Sequence, residues 1–206
     1  MYIPLEIISS SLTVKRSIFT GYLIPVTSKE DIDQALASIR SQNLSARHVC
    51  YAYRLNDGTY KYSDDGEPSG TAGMPLYKTL TGHDLTNNLI AVSRIFGGVL
   101  LGPGGLARAY TDSANAAIEK TLELHKLGQL TEVVDITIHI PYAFTDTLIR
   151  MIGKSRIESI TYQNDCELKT TLPLLDSQAI IDYIRSNAYQ GLSCVVSESY
   201  LALYNK

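Results

Sequence analysis

The sequence contains no tryptophan and only three cysteines, Cys50, Cys166 and Cys194. The cysteines are odd in number, lie far apart and form no CxxC pair. Such a set disfavours a disulfide framework and a cysteine-ligated zinc site, because both need paired or clustered thiols. The cysteine content therefore favours a protein of the reducing cytoplasm.

Long apolar runs are also absent. Arg94 and several glycines interrupt the longest one, so no segment approaches the roughly 18–20 apolar residues of a membrane span. The N-terminal residues MYIPLEIISS lack the basic start and the apolar core of a secretory signal peptide. The sequence therefore predicts a cytoplasmic protein without a membrane partner.

The charge balance predicts no strong, sequence-independent attraction of the whole chain to nucleic acid. The formal net charge is −3 at pH 7, whereas strong phosphate binding needs an excess of cations. Residues 1–130 carry 12 Lys/Arg and 12 Asp/Glu, and residues 131–206 carry 6 and 9. Any contact with nucleic acid is therefore expected to be local and to involve the first part of the chain.

The patterns of apolar residues divide the chain near residues 128–133. The first part is predicted to form strands over 12–26, 47–55 and 89–96, and helices over 28–42, 75–80 and 106–126. In the second part, Val134, Ile136 and Ile138 alternate with polar residues, as in a one-sided strand. The later patterns complete the order βαββαβ, the split-βαβ or ferredoxin-like plan. We therefore expect an α+β protein of two domains, 1–130 and 131–206.

Two glycine-rich stretches between Ser63 and Tyr110 attract most functional interest: SDDGEPSGTAGMP and IFGGVLLGPGGLARAY. Each leads into a predicted helix, and the free N–H groups of a helix start can bind an anion. The alternative is that the glycines only permit a tight strand-to-helix turn. Neither stretch is a Walker loop or a GxGxxG motif, so no cofactor is expected. The predicted residues for binding an anion, nucleic acid or partner are His48, Arg54, Ser69, Thr71, Arg94, Gly97, Gly98, Gly102, Gly104, Gly105, Arg108 and Tyr110.

The acidic residues Asp64, Asp65 and Glu67 fall within four positions and have three interpretations. Their oxygens are ligands that magnesium or calcium prefers, although the spacing does not fit a calcium-binding loop. Alternatively, the side chains bond nearby backbone N–H groups as turn and cap residues. In the third interpretation, Asp65 or Glu67 pairs with Arg94 or Arg108 and joins the two glycine-rich stretches.

His48 and Cys50 lie two residues apart on a predicted strand and so share one of its faces. A Cys–His nucleophile pair needs hydrogen-bond contact and a setting that favours the thiolate. Residues two apart on a strand rarely give that geometry without a third, orienting group. The pair is therefore interpreted as a buried cysteine beside a hydrogen-bonded histidine.

The segments ARHVCYAYRL, SDDGEPSGTAGMP and RIFGGVLLGPGGLARAY, within residues 46–110, together resemble the signature of the YigZ/IMPACT family. The resemblance indicates a bacterial, stand-alone member. It implies an N-terminal α/β sandwich like domain two of small-subunit ribosomal protein five, and a C-terminal domain like the last domain of elongation factor G. Ile95 and Leu100 depart from the family pattern, which usually has tyrosine and lysine there, and the lost lysine removes a positive charge beside the glycines.

The resemblance implies a role in translation, since eukaryotic relatives modulate translational control through a kinase-activating partner. We expect a non-catalytic regulator or accessory factor that binds the ribosome, RNA or a translation factor through the Arg47–Tyr110 face. The alternative is a metal-assisted hydrolase of a phosphorylated or peptide substrate, with a metal at Asp64, Asp65 and Glu67. No general base or nucleophile for such a reaction is evident in the sequence.

Overall fold

The computed structural model describes residues 1–204 of the 206-residue chain. The chain forms two compact units, Met1–Gln129 (unit 1) and Leu130–Lys206 (unit 2). Mixed α/β structure is present in both units, with helices packed on antiparallel sheets. No helix within residues 1–204 combines the length and the apolar character needed to cross a membrane.

Unit 1 is built on a five-stranded antiparallel sheet with the strand order β2-β3-β6-β4-β5. A separate short strand, β1, pairs with the start of a later strand at residues 127–129. The hairpin turn between β2 and β3 consists of Lys15 and Arg16, whose positive φ angles of 45° and 69° suit a type I′ turn. The strands are β1 (Tyr2–Pro4), β2 (Ile8–Val14), β3 (Ser17–Pro25), β4 (His48–Arg54), β5 (Tyr60–Ser63) and β6 (Asn88–Ile95).

The central strand β6 is buried on both faces, as its apolar run predicts. Ile90 and Val92 belong to the core that the sheet forms with α2 (Gly73–Gly82) and α3 (Gly102–Glu123). Leu89 and Ala91 belong to a second core, which the opposite face forms with α1 (Lys29–Gln42). Unit 1 is therefore a sheet between helical layers.

Two helix starts in unit 1 show how well local signals predict structure. Ser28 and Asp31 form the reciprocal capping box of α1, which confirms Ser28 as the predicted cap. In contrast, α3 begins at Gly102, four residues before the predicted start at Leu106. Pro103 suits the first turn because it lacks only an N–H group that has no partner there. Gly104 and Gly105 are consequently helical residues rather than loop residues.

Unit 2 has the predicted element order βαββαβ and one further strand. Its strands are β7 (Leu127–Ile140, which begins in unit 1), β8 (Ile157–Tyr162), β9 (Cys166–Pro173), β10 (Ser193–Val196) and β11 (Tyr200–Leu203). Its helices are α4 (Thr145–Ile152) and α5 (Leu174–Ser186), with 3₁₀ turns at Tyr142–Phe144, Lys154–Arg156 and Ala188–Gln190. The sheet order is β10-β7-β9-β8, and β11 pairs with residues 130–133 of β7. Ile136, Ile138 and Leu168 pack in one core with Leu148 and Ile180 of the helices.

Candidate functional site

The two glycine-rich stretches come together at one end of the unit 1 sheet. The strand register pairs Ile18 with Ile95, His48 with Arg94 and Tyr51 with Ser63. These strands therefore begin or finish at the same end of the sheet, which we call the glycine-loop end. It comprises the Lys15–Arg16 turn, residues 46–48, the acidic loop (residues 64–72), the glycine loop (residues 96–101) and the first two turns of α3 (residues 102–108).

Asp64 fixes the acidic loop to the start of α2. Its carboxylate accepts hydrogen bonds from the backbone N–H groups of Gly70, Ala72 and Gly73 at 2.8–2.9 Å. Burial alone would raise the pKa of Asp64, but these three donors stabilise the charged form and bring its pKa below the ordinary value. Asp64 is therefore a cap of α2, as the turn-and-cap interpretation predicts.

Asp65 ties the acidic loop to two other elements. Its carboxylate accepts a hydrogen bond from the N–H of Val49 at 2.7 Å and forms an ion pair with Arg40 at 2.8 Å. Its backbone carbonyl accepts a hydrogen bond from Nδ1 of His48 at 2.7 Å. Asp65 thereby connects α1 on one face of the sheet with β4. It has a positive φ of 45°, a conformation that aspartate tolerates better than most residues.

Glu67 and Arg94 form a buried ion pair that joins the acidic loop to β6. Nη1 of Arg94 donates to Oε1 of Glu67 at 2.7 Å, and the Tyr110 hydroxyl donates to the same oxygen at 2.9 Å. The side chains of Glu67 and Arg94 are 4% and 8% exposed. The Arg94 guanidinium also lies over the rings of Phe19 and Phe96. This arrangement realises the predicted pairing of the two stretches, with Arg94 as the partner of Glu67.

Two of the predicted binding residues are structural. Arg94 and Tyr110 are buried, and the polar ends of both side chains donate hydrogen bonds to Glu67. Burial, followed by the proximity of Cys50 and Glu67, raises the pKa of Tyr110 far above the ordinary value. Neither residue belongs to an exposed surface, because Arg94 is neutralised by an internal carboxylate and Tyr110 is enclosed by the core.

Arg54 and Thr71 also depart from the predicted surface. Arg54 ends β4, six residues from His48, which corresponds to about 20 Å along a strand. It lies 3.8 Å from Asp84, away from the glycine-loop end. Thr71 is buried, and its hydroxyl donates to the carbonyl of Pro68 at 2.6 Å. Of the predicted residues of the acidic loop, Ser69 alone is exposed.

The predicted cation site at Asp64, Asp65 and Glu67 is not formed. The three carboxylates point to three separate sets of donors, in α2, in α1 and β4, and in β6 and α3. Within residues 1–204 no group of three His, Cys, Asp or Glu side chains is arranged to hold a metal ion. Carboxylates that are already bonded to protein donors would have to lose those bonds to bind a cation.

The glycines have three different roles. Gly97 allows close packing, since a Cβ atom there would lie 2.0 Å from the carbonyl carbon of Arg16, and its N–H donates to Ser17 Oγ at 3.1 Å. Gly98 and Gly102 have positive φ angles of 82° and 72°, which favour glycine. Gly104 has neither a positive φ nor a close neighbour, so nothing in its backbone conformation requires glycine.

Cys50 and His48 do not form a nucleophile pair. Cys50 is fully buried and its thiol donates to the carbonyl of Asp64 at 2.9 Å, whereas His48 donates to the carbonyl of Asp65. Burial, with a smaller effect of nearby carboxylates, raises the pKa of Cys50 to about 12. A thiol with such a pKa is protonated at neutral pH, which supports the interpretation of a core cysteine.

The exposed charges at the glycine-loop end are mainly cationic. Lys15, Arg16, Arg47 and Arg108 are exposed, and none of them forms an ion pair within the part of the chain that is described. The nearby carboxylates of the acidic loop are bonded inside the protein. Sequence reasoning included Arg108 but omitted Lys15, Arg16 and Arg47 from the binding set. Their hairpin-turn and strand-start positions were visible in the sequence, but the contact of the turn with the distant Gly97 was not.

Comparisons with known proteins identify a family model and several relatives that resemble this chain. The Impact N-terminal domain model matches residues 15–118, which cover most of unit 1. An IMPACT family member of Bacillus subtilis, YvyE, is 38% identical over 109 residues, which are 52% of this chain and 50% of the relative. The Escherichia coli family member YigZ is 31% identical over 166 residues, or 78% of this chain and 79% of the relative. The chain thus spans about half the length of the Bacillus relative and more of the Escherichia one.

A solved structure resembles the whole chain. The crystal structure of a hypothetical protein covers 96% of this chain and 97% of its own chain, with a TM-score of 0.57 and 27% sequence identity. The similarity extends over residues of both units.

Proposed function

Because the chain belongs to the IMPACT family, we propose that it is a non-catalytic accessory factor or regulator of translation. It binds the translation apparatus through the glycine-loop end, with ribosomal RNA as the favoured ligand, and acts in the cytoplasm. The resemblance recognised in residues 46–110 implied such a role for the family. What supports the proposal for this chain is the distribution of charge and exposed apolar side chains at that end.

The observation that carries the proposal is the separation of charges at the glycine-loop end. Asp64, Asp65 and Glu67 direct their carboxylates inward, to backbone N–H groups, Arg40 and Arg94. The remaining exposed cations of this end, Lys15, Arg16, Arg47 and Arg108, have no such partner in the described residues. A net charge of zero over residues 1–130 therefore coexists with a local cationic surface, and phosphate is its natural ligand.

Exposed apolar side chains lie beside these cations. Phe96 and Leu100 of the glycine loop are 48% and 83% exposed, and Val99 between them is 37% exposed. Basic side chains interleaved with an exposed aromatic ring are typical of surfaces that bind single-stranded RNA, where rings stack on bases and cations contact phosphates. This combination favours RNA over a translation factor as the direct contact.

The hydrolase alternative has no support in the geometry. The carboxylates that it would use as metal ligands are bonded to protein donors, and Cys50 is buried and protonated. The family relationship also suggests finer structural similarities, which we propose: unit 1 resembles domain two of small-subunit ribosomal protein five, and unit 2 resembles the last domain of elongation factor G. The βαββαβ order of unit 2 supports the second of these.

Co-sedimentation with ribosomes at low and moderate salt tests the proposed function. We expect wild-type protein to sediment with ribosomes at low salt and to lose binding as salt rises, with a slope that corresponds to at most about four phosphate contacts. The variant Lys15→Gln/Arg16→Gln/Arg47→Gln/Arg108→Gln should lose most of the binding. A matched variant removes the same number of exposed cations from unit 2: Arg150→Gln/Lys154→Gln/Lys169→Gln/Arg185→Gln. Equal binding by both variants, or no binding by wild type, would contradict the proposal.

A further inference from the structure

A small cavity opens at the glycine-loop end, between the start of β4 and the glycine loop. Its volume is about 200 Å³, enough for a nucleobase or a phosphate group and too small for a folded element. Part of its wall is cationic and part is apolar. The lining residues are Arg47, His48, Arg94, Phe96 and Leu100.

Arg94 forms the buried part of this wall and has an unused hydrogen-bond donor. Its side chain is 8% exposed, and Nη1 donates to Glu67. Its Nε is buried and has no partner among the described residues. A buried N–H group without an acceptor is unfavourable. Because this Nε has almost no accessible surface, Arg94 lines the cavity without offering that donor to a ligand.

Arg47 and His48 supply the polar part of the wall nearer to solvent. Arg47 is exposed and is free of ion pairs within residues 1–204. Nδ1 of His48 must carry the proton that it donates to the Asp65 carbonyl, because a carbonyl only accepts, so Nε2 is left for a ligand. Glu67 balances the charge of Arg94, and the net positive charge of the cavity therefore comes from Arg47.

Phe96 and Leu100 supply the apolar part. One side of the Phe96 ring packs over the Arg94 guanidinium, 5.4 Å from ring centre to Cζ, yet the residue stays half exposed. Inorganic phosphate alone would not interact favourably with an exposed aromatic ring and an exposed leucine. A planar base stacks well on an aromatic ring backed by a cation.

We propose that this cavity binds one nucleotide unit, with the base against Phe96 and Leu100 and the phosphate on its solvent side, at Arg47 and Nε2 of His48. The same chemistry is present in a free mononucleotide and in the terminal nucleotide of an RNA strand. This proposal deepens the proposed function. It rests on that function only if the bound nucleotide is part of an RNA strand. It assigns to the glycine loop a direct contact with a base, in addition to the contacts of the surface cations with phosphates.

Calorimetric titration of the 206-residue chain tests the cavity. The ligands are adenosine 5′-monophosphate, adenosine, inorganic phosphate, and short oligoadenylates with and without a 5′-phosphate. We expect the monophosphate to bind more tightly than adenosine or phosphate. Arg47→Gln and Phe96→Leu should each weaken its binding about tenfold, since stacking and phosphate contacts have that order of effect. Lys154→Gln, which removes an exposed cation of unit 2, should leave it unchanged.

The outcomes separate the source of the ligand and the two proposals. Binding of the free monophosphate assigns the cavity to mononucleotides, and binding of the 5′-phosphorylated oligonucleotide alone assigns it to RNA ends. The proposal is overturned if neither binds, or if phosphate binds as tightly as the monophosphate and Phe96→Leu has no effect. If the protein sediments with ribosomes but binds neither the monophosphate nor the oligonucleotide, only the cavity proposal is contradicted. If it binds the monophosphate but not ribosomes, only the proposed function is contradicted.

Discussion

Glu67 and Arg94 lie 27 residues apart in the sequence and form a buried ion pair with a distance of 2.7 Å between Oε1 and Nη1. The pair joins the acidic loop to the central strand and receives a further hydrogen bond from Tyr110. The carboxylate of Glu67 therefore links the two glycine-rich stretches.

Removal of the Glu67 charge should destabilise unit 1 strongly. We expect Glu67→Gln to lower the free energy of unfolding by about 3 kcal/mol, because the buried Arg94 charge loses its partner. Urea unfolding measures the effect, with Asp112→Asn, an exposed carboxylate on α3, as the control. A loss no larger than that of the control would show that the ion pair adds nothing to stability.

Asp64 should make the stability of unit 1 depend on acidic pH. Its pKa in the folded protein is lowered, so its stabilising effect is complete above the unfolded pKa of about 3.9 and is lost as pH falls through the folded value. We expect Asp64→Ala to cost about 1–2 kcal/mol at pH 7, as for loss of a helix cap.

Urea unfolding of wild type and Asp64→Ala across pH 2–7 measures this difference. The difference should be constant above about pH 5 and should shrink below about pH 4. A difference that grows as pH falls would contradict the sign of the pKa shift.

Alanine at two glycines should have opposite effects. A Cβ atom at Gly97 would collide with the backbone of Arg16, so Gly97→Ala should separate the glycine loop from the β2–β3 turn and destabilise unit 1 severely. A Cβ atom at Gly104 has open space in the first turn of α3, so Gly104→Ala should be neutral or raise stability by up to about 1 kcal/mol. Thermal unfolding of both variants checks the pair of predictions. An equal loss at both positions would show that Gly104 has a constraint of its own.

The three thiols should differ in reactivity. Cys50 and Cys166 are buried, and the pKa of Cys50 is raised to about 12, whereas Cys194 is partly exposed. At pH 8 we expect alkylation of Cys194 first, with Cys50 and Cys166 modified only after unfolding. Mass spectrometry of the alkylated protein, with and without urea, distinguishes the sites. Rapid modification of Cys50 in the folded protein would contradict this expectation and would make Cys50 a candidate nucleophile.

Local patterns in the sequence predict local structure well. The Ser28 cap, the doubly buried run in β6 and the alternation in β7 each depend on neighbours within a few residues. The start of α3 was predicted too late because glycine is a poor helix former in isolation. In the folded protein, packing of Leu106, Ala109 and Tyr110 against the sheet outweighs that preference.

The candidate site was predicted less well, because its geometry depends on contacts between distant residues. The roles of Asp64 and Glu67 were among the open alternatives, but sequence alone does not decide between a cation and a protein donor as the partner of a carboxylate. Arg94 was included among the binding residues because a strand pattern does not reveal that an acidic loop covers the end of the strand. The cationic turn at Lys15 and Arg16 was missed for the same reason.

The position of β6 in the sheet determines the order in which unit 1 can assemble during synthesis. Strands β2 and β3 emerge as one hairpin and β4 and β5 as another, and neither hairpin pairs directly with the other. An isolated hairpin is at best marginally stable in water. Only when residues 88–95 have emerged can the two hairpins join on either side of β6. The edges of β3 and β4 that face each other across β6 therefore stay unpaired in the nascent chain until that moment, and a single late strand pairs with both.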